Sequence, residues 1–137
     1  MIRLSIFLLS ATLLINPAFA QKAAENLWLK ASEQVSAEQN SAAIKSLTTI
    51  TQKHWSSSQA EKASALLVEL HLQQNEVDES KKMAQRFLDA FPRSQYRDRV
   101  EVAYAITKVL EGYFYDGIEH LLRVKTWTKN PVIAEKA

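Results

Sequence analysis

Apolar positions in this chain recur at helical spacing, and the arrangement returns after 37 residues. Three segments align at that offset: Ala42 to Leu47, Glu79 to Ala84 and Asp116 to Leu121. Each opens on a small residue, Ala43, Ser80 or Gly117. Leu47, Ala84 and Leu121 follow at i+4, then Ile50, Phe87 and Val124 at i+7, one face of an α-helix. A small residue at the head of that face lets a neighbouring helix approach closely. The segments between them are helical as well. Ala63, Leu66, Leu67 and Leu70 form one stripe, and Val100, Ala103, Tyr104 and Thr107 repeat it. No stretch alternates apolar and polar residues over the length of a strand.

The connections carry turn chemistry. Asn75 and Gly112 end the first helix of a pair, and both residue types tolerate a left-handed cap. Trp55 to Ser58, Pro92-Arg93-Ser94 and Asn130-Pro131 end the second helix. Pro92 stops a helix at Phe91, having no N–H to continue it. Ser58 and Ser94 are candidate N-caps for the next helix in each case. The pattern predicts six helices in three pairs, approximately 22–37 with 41–54, 59–74 with 77–91, and 96–111 with 115–128. A seventh runs from Pro131 to Ala137. The fold class is all-α, built of hairpins at approximately 22–54, 59–91 and 96–128.

Asn75-Glu76-Val77-Asp78-Glu79-Ser80 through Phe87-Leu88-Asp89-Ala90-Phe91-Pro92-Arg93-Ser94 resembles the second half of a tetratricopeptide repeat. Gly112-Tyr113-Phe114-Tyr115-Asp116-Gly117-Ile118 resembles the same turn in the next copy. The aromatic-Pro-x-Ser ending is similar to periplasmic members of that family, among them the Tol–Pal coordinator and the tetratricopeptide lipoprotein of outer-membrane protein assembly. The resemblance implies a right-handed α-solenoid of three helical hairpins, and it is best matched over about residues 60–124. There are departures. The spacing is 37 residues rather than about 34. The repeat proline is Trp55 in the first copy and Lys129 in the third, and Ser80 and Gly117 stand where alanine is usual. Other helical-hairpin repeats of similar length remain an alternative.

A second stripe runs along each first helix: Trp28/Ala31/Val35, Ala65/Val68/Leu72 and Val102/Ala105/Val109. It reads either as a concave groove for a partner peptide or as packing between helices. The first helix separates the two readings. Its copy of the first stripe, Asn26/Leu29/Lys30/Glu33, is mostly polar, as a terminal helix with nothing before it requires, while its second stripe stays apolar. Packing is therefore expected for both stripes, with a groove surviving only outside them. At the other end the chain stops where another first helix would begin, Ala137 falling 37 after Val100. The third hairpin is expected to leave a face uncovered, with Leu121, Leu122, Val124 and Trp127 as candidates for self-association or partner docking. The alternatives are a tail that folds back and a truncated relative of a longer array.

Residues 1–20 read as a signal peptide. Arg3 precedes an apolar core from Leu4 to Ile15, and Ala18-Phe19-Ala20 presents small side chains for cleavage after Ala20. Pro17 is expected to hold that site extended. The apolar core is too short to span a membrane. The repeat domain is then 21–137, with no membrane span once the signal is removed. It is expected in the periplasm, or secreted beyond it. The 137 residues contain no cysteine, which excludes a disulfide scaffold, a thiol nucleophile and lipid attachment at a cysteine after the apolar core. A formal net charge of +2, falling to +1 on loss of Arg3, makes no case for nucleic acid.

Chemistry-bearing motifs are sparse. His54, His71 and His120 fall on different helices without metal-ligand spacing. Two glycines allow no phosphate loop, and no nucleophile elbow or Ser-x-x-Lys motif occurs. No enzyme activity, metal or cofactor is expected. The distinctive polar cluster is Arg86, Arg93, Arg97 and Arg99, interleaved with Phe91 and Tyr96 at the junction of the second and third hairpins. Such a cluster suits carboxylate, phosphate or peptide recognition, or is a solvated junction neutralised by Asp89, Asp98 and Glu101. In Tyr113-Phe114-Tyr115 one ring is expected to be buried between the paired helices, leaving one or two for a partner. The reading is a non-catalytic interaction or assembly module of the bacterial cell envelope. It would bind another envelope protein, or itself, through Arg93, Arg97, Arg99, Tyr113, Tyr115 and Trp127. The alternatives are an accessory subunit of a cell-wall or polysaccharide-processing complex and a carrier with an enclosed apolar cavity.

Overall fold

The computed structural model describes residues 17–129 and 131–136. The apolar core expected of the signal peptide, Asn130 and Ala137 lie outside them. The described residues form seven α-helices and no strand: α1 (Pro17–Ser36), α2 (Asn40–Lys53), α3 (Gln59–Gln73), α4 (Val77–Ala90), α5 (Arg97–Leu110), α6 (Phe114–Trp127) and α7 (Pro131–Lys136). The protein is an all-α helical repeat in which α1/α2, α3/α4 and α5/α6 pair as hairpins. α1, α3, α5 and α7 touch at alternate steps along the chain, whereas α2, α4 and α6 do not touch one another. The first helices therefore form the inner layer and the second helices the outer one.

Each hairpin turns in the same way. Glu38, Asn75 and Gly112 adopt positive φ of 57°, 59° and 90°. The amide of the next residue, Gln39, Glu76 or Tyr113, donates to the carbonyl five back, Gln34, His71 or Lys108, at 2.8–2.9 Å. This double closure satisfies carbonyls that the helix end would leave unpaired. Immediately after each turn, Ala43, Ser80 and Gly117 are buried where the second helix leans on the first. Ser80 donates its hydroxyl to the Val68 carbonyl at 2.8 Å. At Gly117 a β-carbon would lie 2.5 Å from Val109 Cγ2 and 3.0 Å from the Ala105 carbonyl, so α5 and α6 cross closer than any side chain allows.

Three apolar clusters join successive hairpins. Leu47, Ile50, Leu67 and Leu70 centre the first, Val68, Phe87 and Val100 the second, and Val102, Val124 and Ile133 the third. Burying one such side chain stabilises the fold by about 1.5–3 kcal/mol. Both stripes of α3 and α5 are packed, and Asn26, Leu29, Lys30 and Glu33 on α1 are exposed.

Three local expectations differ from the structure. Pro17 opens α1 instead of breaking a helix, and residues 17–20 are helical. At the first turn a proline's missing N–H costs nothing. Neither Ser58 nor Ser94 caps a helix through its hydroxyl in the expected way. Ser58 makes no cap hydrogen bond, and α5 begins after Tyr96, whose amide donates to Ser94 Oγ at 2.9 Å. The face expected to be open at the C-terminal hairpin is partly closed. α7 folds back, and Ile133 with Val102 covers Val124, which is fully buried, while Leu121 packs against the same cluster.

Candidate functional site

The inner layer carries a cleft of about 480 Å³ between α3, α5 and α7. Leu72, Val102, Ala103, Ile106 and Ile133 make its apolar lining. Glu69 and Arg99 stand at its edge, joined by an ion pair at 2.7 Å from Arg99 Nη2 to Glu69 Oε2. Such a cleft presents an apolar floor beside a guanidinium whose carboxylate partner Glu69 is itself partly accessible. Leu72 and Val102 belong to the second stripe, so the division drawn from sequence between packing and groove does not hold. The same residues pack with one edge and line the cleft with the other, because α7 supplies a third wall. Glu69, Ile106 and Ile133 had no local signal. Arg99 lies 30 residues from Glu69, and α7 is a single short helix.

The arginines expected to act together are separated by the structure. Arg86 stacks on Trp55 with 4.5 Å to the ring centroid, and Trp55 in turn packs on Phe91 at 5.2 Å. Arg97 donates to the Pro92 carbonyl at 2.8 Å and to Glu101 Oε1 at 3.0 Å. Arg99 faces the cleft. Arg93 is exposed in the turn and, among the described residues, makes no ion pair or ring contact. The neutralising carboxylates are therefore Glu101 and Glu69, while Asp98 accepts a hydrogen bond from Thr128 at 2.6 Å.

Behind Arg97 lies a buried polar chain. Glu101 Oε2 meets His120 Nε2 at 2.6 Å between α5 and α6, and Tyr104 packs its ring against the imidazole at 5.7 Å. Burial pushes the Glu101 carboxyl up, but the hydrogen bond and charge of His120, then those of Arg97, outweigh it and hold it below its usual value. This chain faces away from the cleft lining. Across α4 and α5, Lys81 holds Glu111 at 2.6 Å, a hydrogen bond that keeps its ammonium above the usual lysine range.

None of the three rings at the α5–α6 turn is buried. Tyr113 and Phe114 are more than half exposed and Tyr115 is 93% exposed. Gly117 seats α6 directly against Val109 and Ala105 of α5, and Tyr113 lies 5.9 Å from the Lys81 ammonium. Trp127 is exposed at the end of α6. Among the described residues, no three His, Asp or Glu side chains converge as a metal ion requires, and no helix is long and apolar enough to cross a membrane.

The family model YfiO, described as an outer membrane lipoprotein, matches residues 20–112, from α1 through the turn that ends α5. No curated protein and no solved structure gives a significant match.

Proposed function

Because the chain belongs to the YfiO family of outer membrane lipoproteins, we propose that it is a non-catalytic binding module of the bacterial cell envelope whose inner layer receives a segment of another envelope protein. The observation that carries this reading is the cleft between α3, α5 and α7, apolar at its floor and edged by Arg99. An acidic or C-terminal group of a bound segment would compete with Glu69 for the Arg99 guanidinium, while its apolar side chains displace water from Leu72, Val102 and Ile106. Arg93, exposed in the α4–α5 turn, and Arg97, held by the Pro92 carbonyl and Glu101, are proposed as separate contacts outside the cleft. Tyr113 and Tyr115 at the start of α6, and Trp127 at its end, offer separate aromatic contacts on the third hairpin.

Residues 1–20 are proposed as an export signal and 21–137 as the mature repeat domain in the periplasm. Two features support that division. Ala24 is the first core residue of α1, and Phe19 is largely exposed. Gln21, the first residue after the proposed cut, already hydrogen-bonds Ser58. The 137-residue sequence holds no cysteine, so no residue of it can carry a thioether-linked lipid.

The test is affinity capture from an envelope fraction with wild type, Arg99→Glu and Trp127→Ala. A partner retained by wild type and lost with Arg99→Glu is the expected result. Identical partner sets from all three proteins would remove these residues from the contact surface. The mass of the periplasmic protein reports the cleavage point.

A further inference from the structure

Positions 37 residues apart take the same place on the successive outer helices, and one row of them changes character. On α4 the row contains Lys81 and Gln85, and both reach α5: Lys81 to Glu111 at 2.6 Å, Gln85 to the Tyr104 hydroxyl at 3.0 Å. On α2 the corresponding Ile44 is half-buried against the cluster that includes Leu67 and Leu70 of α3. On α4 the row thus reaches the first helix of the next hairpin, although Gln85 itself is exposed. On α6 the row is Ile118 and Leu122, with Phe114 one turn earlier, and these are 53%, 55% and 60% exposed. α7 reaches α6 through the Val124 cluster and leaves this row open. The α4 counterparts are Val77, Lys81 and Gln85, two of them polar, whereas on α6 the row is apolar at three successive turns. A solvated surface does not favour that pattern, and an interface does.

We propose that this row is a homodimer interface, with α6 of one copy lying antiparallel to α6 of a second about a two-fold axis. Apolar residues at i, i+4 and i+8 form a ridge that fits the matching groove of its own copy, Ile118 resting on Leu122 of the other. The charges beside the row run from acidic to basic along the helix: Asp116 and Glu119, then Arg123. Reversing one copy sets Glu119 opposite Arg123 twice, and neither residue forms an ion pair within the chain among the described residues. A parallel arrangement would set like charges together. Head-to-tail docking on α1 would press the apolar row against an exposed face on which Asn26, Lys30 and Glu33 surround a single apolar residue, Leu29. A two-fold pairing closes on itself and gives dimers, not filaments. This outer surface is separate from the inner cleft, so dimerisation and capture at the cleft are independent.

The test is sedimentation equilibrium of residues 21–137, with circular dichroism to verify folding. Wild type is expected to dimerise at tens of micromolar, and Ile118→Asp, a change at an exposed position, to be a folded monomer. Glu119→Arg and Arg123→Glu are each expected to weaken the dimer about tenfold or more, because like charges then meet across the interface. Mixing these two variants in equal amounts restores opposite charges in both pairs and should restore association as a heterodimer. A monomeric wild type, or a dimer indifferent to Ile118→Asp and to the charge reversals, overturns the proposal. Partner capture that still depends on Arg99 would then leave the cleft reading standing.

Discussion

The Glu101 carboxylate and the His120 imidazole meet at 2.6 Å between α5 and α6, each with less than a tenth of its side chain exposed. Arg97 holds the second carboxylate oxygen from the surface side. A buried carboxylate with two such partners ties the two helices of the third hairpin at one point, and losing it strands the imidazole. Glu101→Ala is expected to destabilise the protein by about 2–3 kcal/mol in urea unfolding at neutral pH.

The same pair fixes an acid response. The folded-state pKa of Glu101 is lowered from 4.5, so the folded chain binds fewer protons there than the unfolded chain. Its contribution is complete above 4.5 and is lost as pH falls through the folded-state value. Wild type should therefore lose stability below that pH more steeply than Glu101→Gln. Parallel acid curves for the two proteins would contradict the assignment.

Gly117→Ala tests the close crossing of α5 and α6. Alanine normally favours a helix, yet here its β-carbon collides with Val109 and with the Ala105 backbone. The expected outcome is a net loss of about 1–3 kcal/mol despite the gain in helix propensity. Ser80→Ala, at the equivalent place on α4, introduces no added volume and should cost less.

Arg99 and Glu69 are both partly solvated, and pairs of that kind contribute about 1 kcal/mol or less. Arg99→Ala should leave the thermal midpoint nearly unchanged. A loss of partner binding in Arg99→Glu then reports on the cleft itself, with unfolding checked by the same melt.

Ile133 anchors α7 over Val102 and Val124. Ile133→Asp places a charge in that contact and is expected to undock α7. Amide exchange should accelerate over 131–136 and beside Val124, while α3 and α4 stay protected. Unchanged exchange over α7 would mean that the helix is held by something other than this contact.

Helix positions, pairing and the exposed face of α1 were legible because each depends on neighbours within a turn or two. A helix buries a face only if apolar residues return every three or four positions, and a shared offset of 37 marks equivalent faces. The turns were legible at Asn75 and Gly112, whose types favour positive φ. Glu38 adopts the same conformation without that signal, since the flanking helices impose it.

The sequence by itself determined an all-α chain of paired helices and which stripes would be buried. Tertiary structure alone decided which charges met. Glu69 with Arg99, Lys81 with Glu111 and Glu101 with His120 are 19 to 30 residues apart, and their distances depend on how closely whole helices cross. It also decided that α7 closes over Val124, that the rings at 113–115 stay outside, and that the second stripe both packs and lines a cleft. Periodicity reports the face a side chain occupies on its own helix. What stands opposite that face is set by the crossing of helices, and it is there that Gly117, α7 and the ion pairs exert their effect.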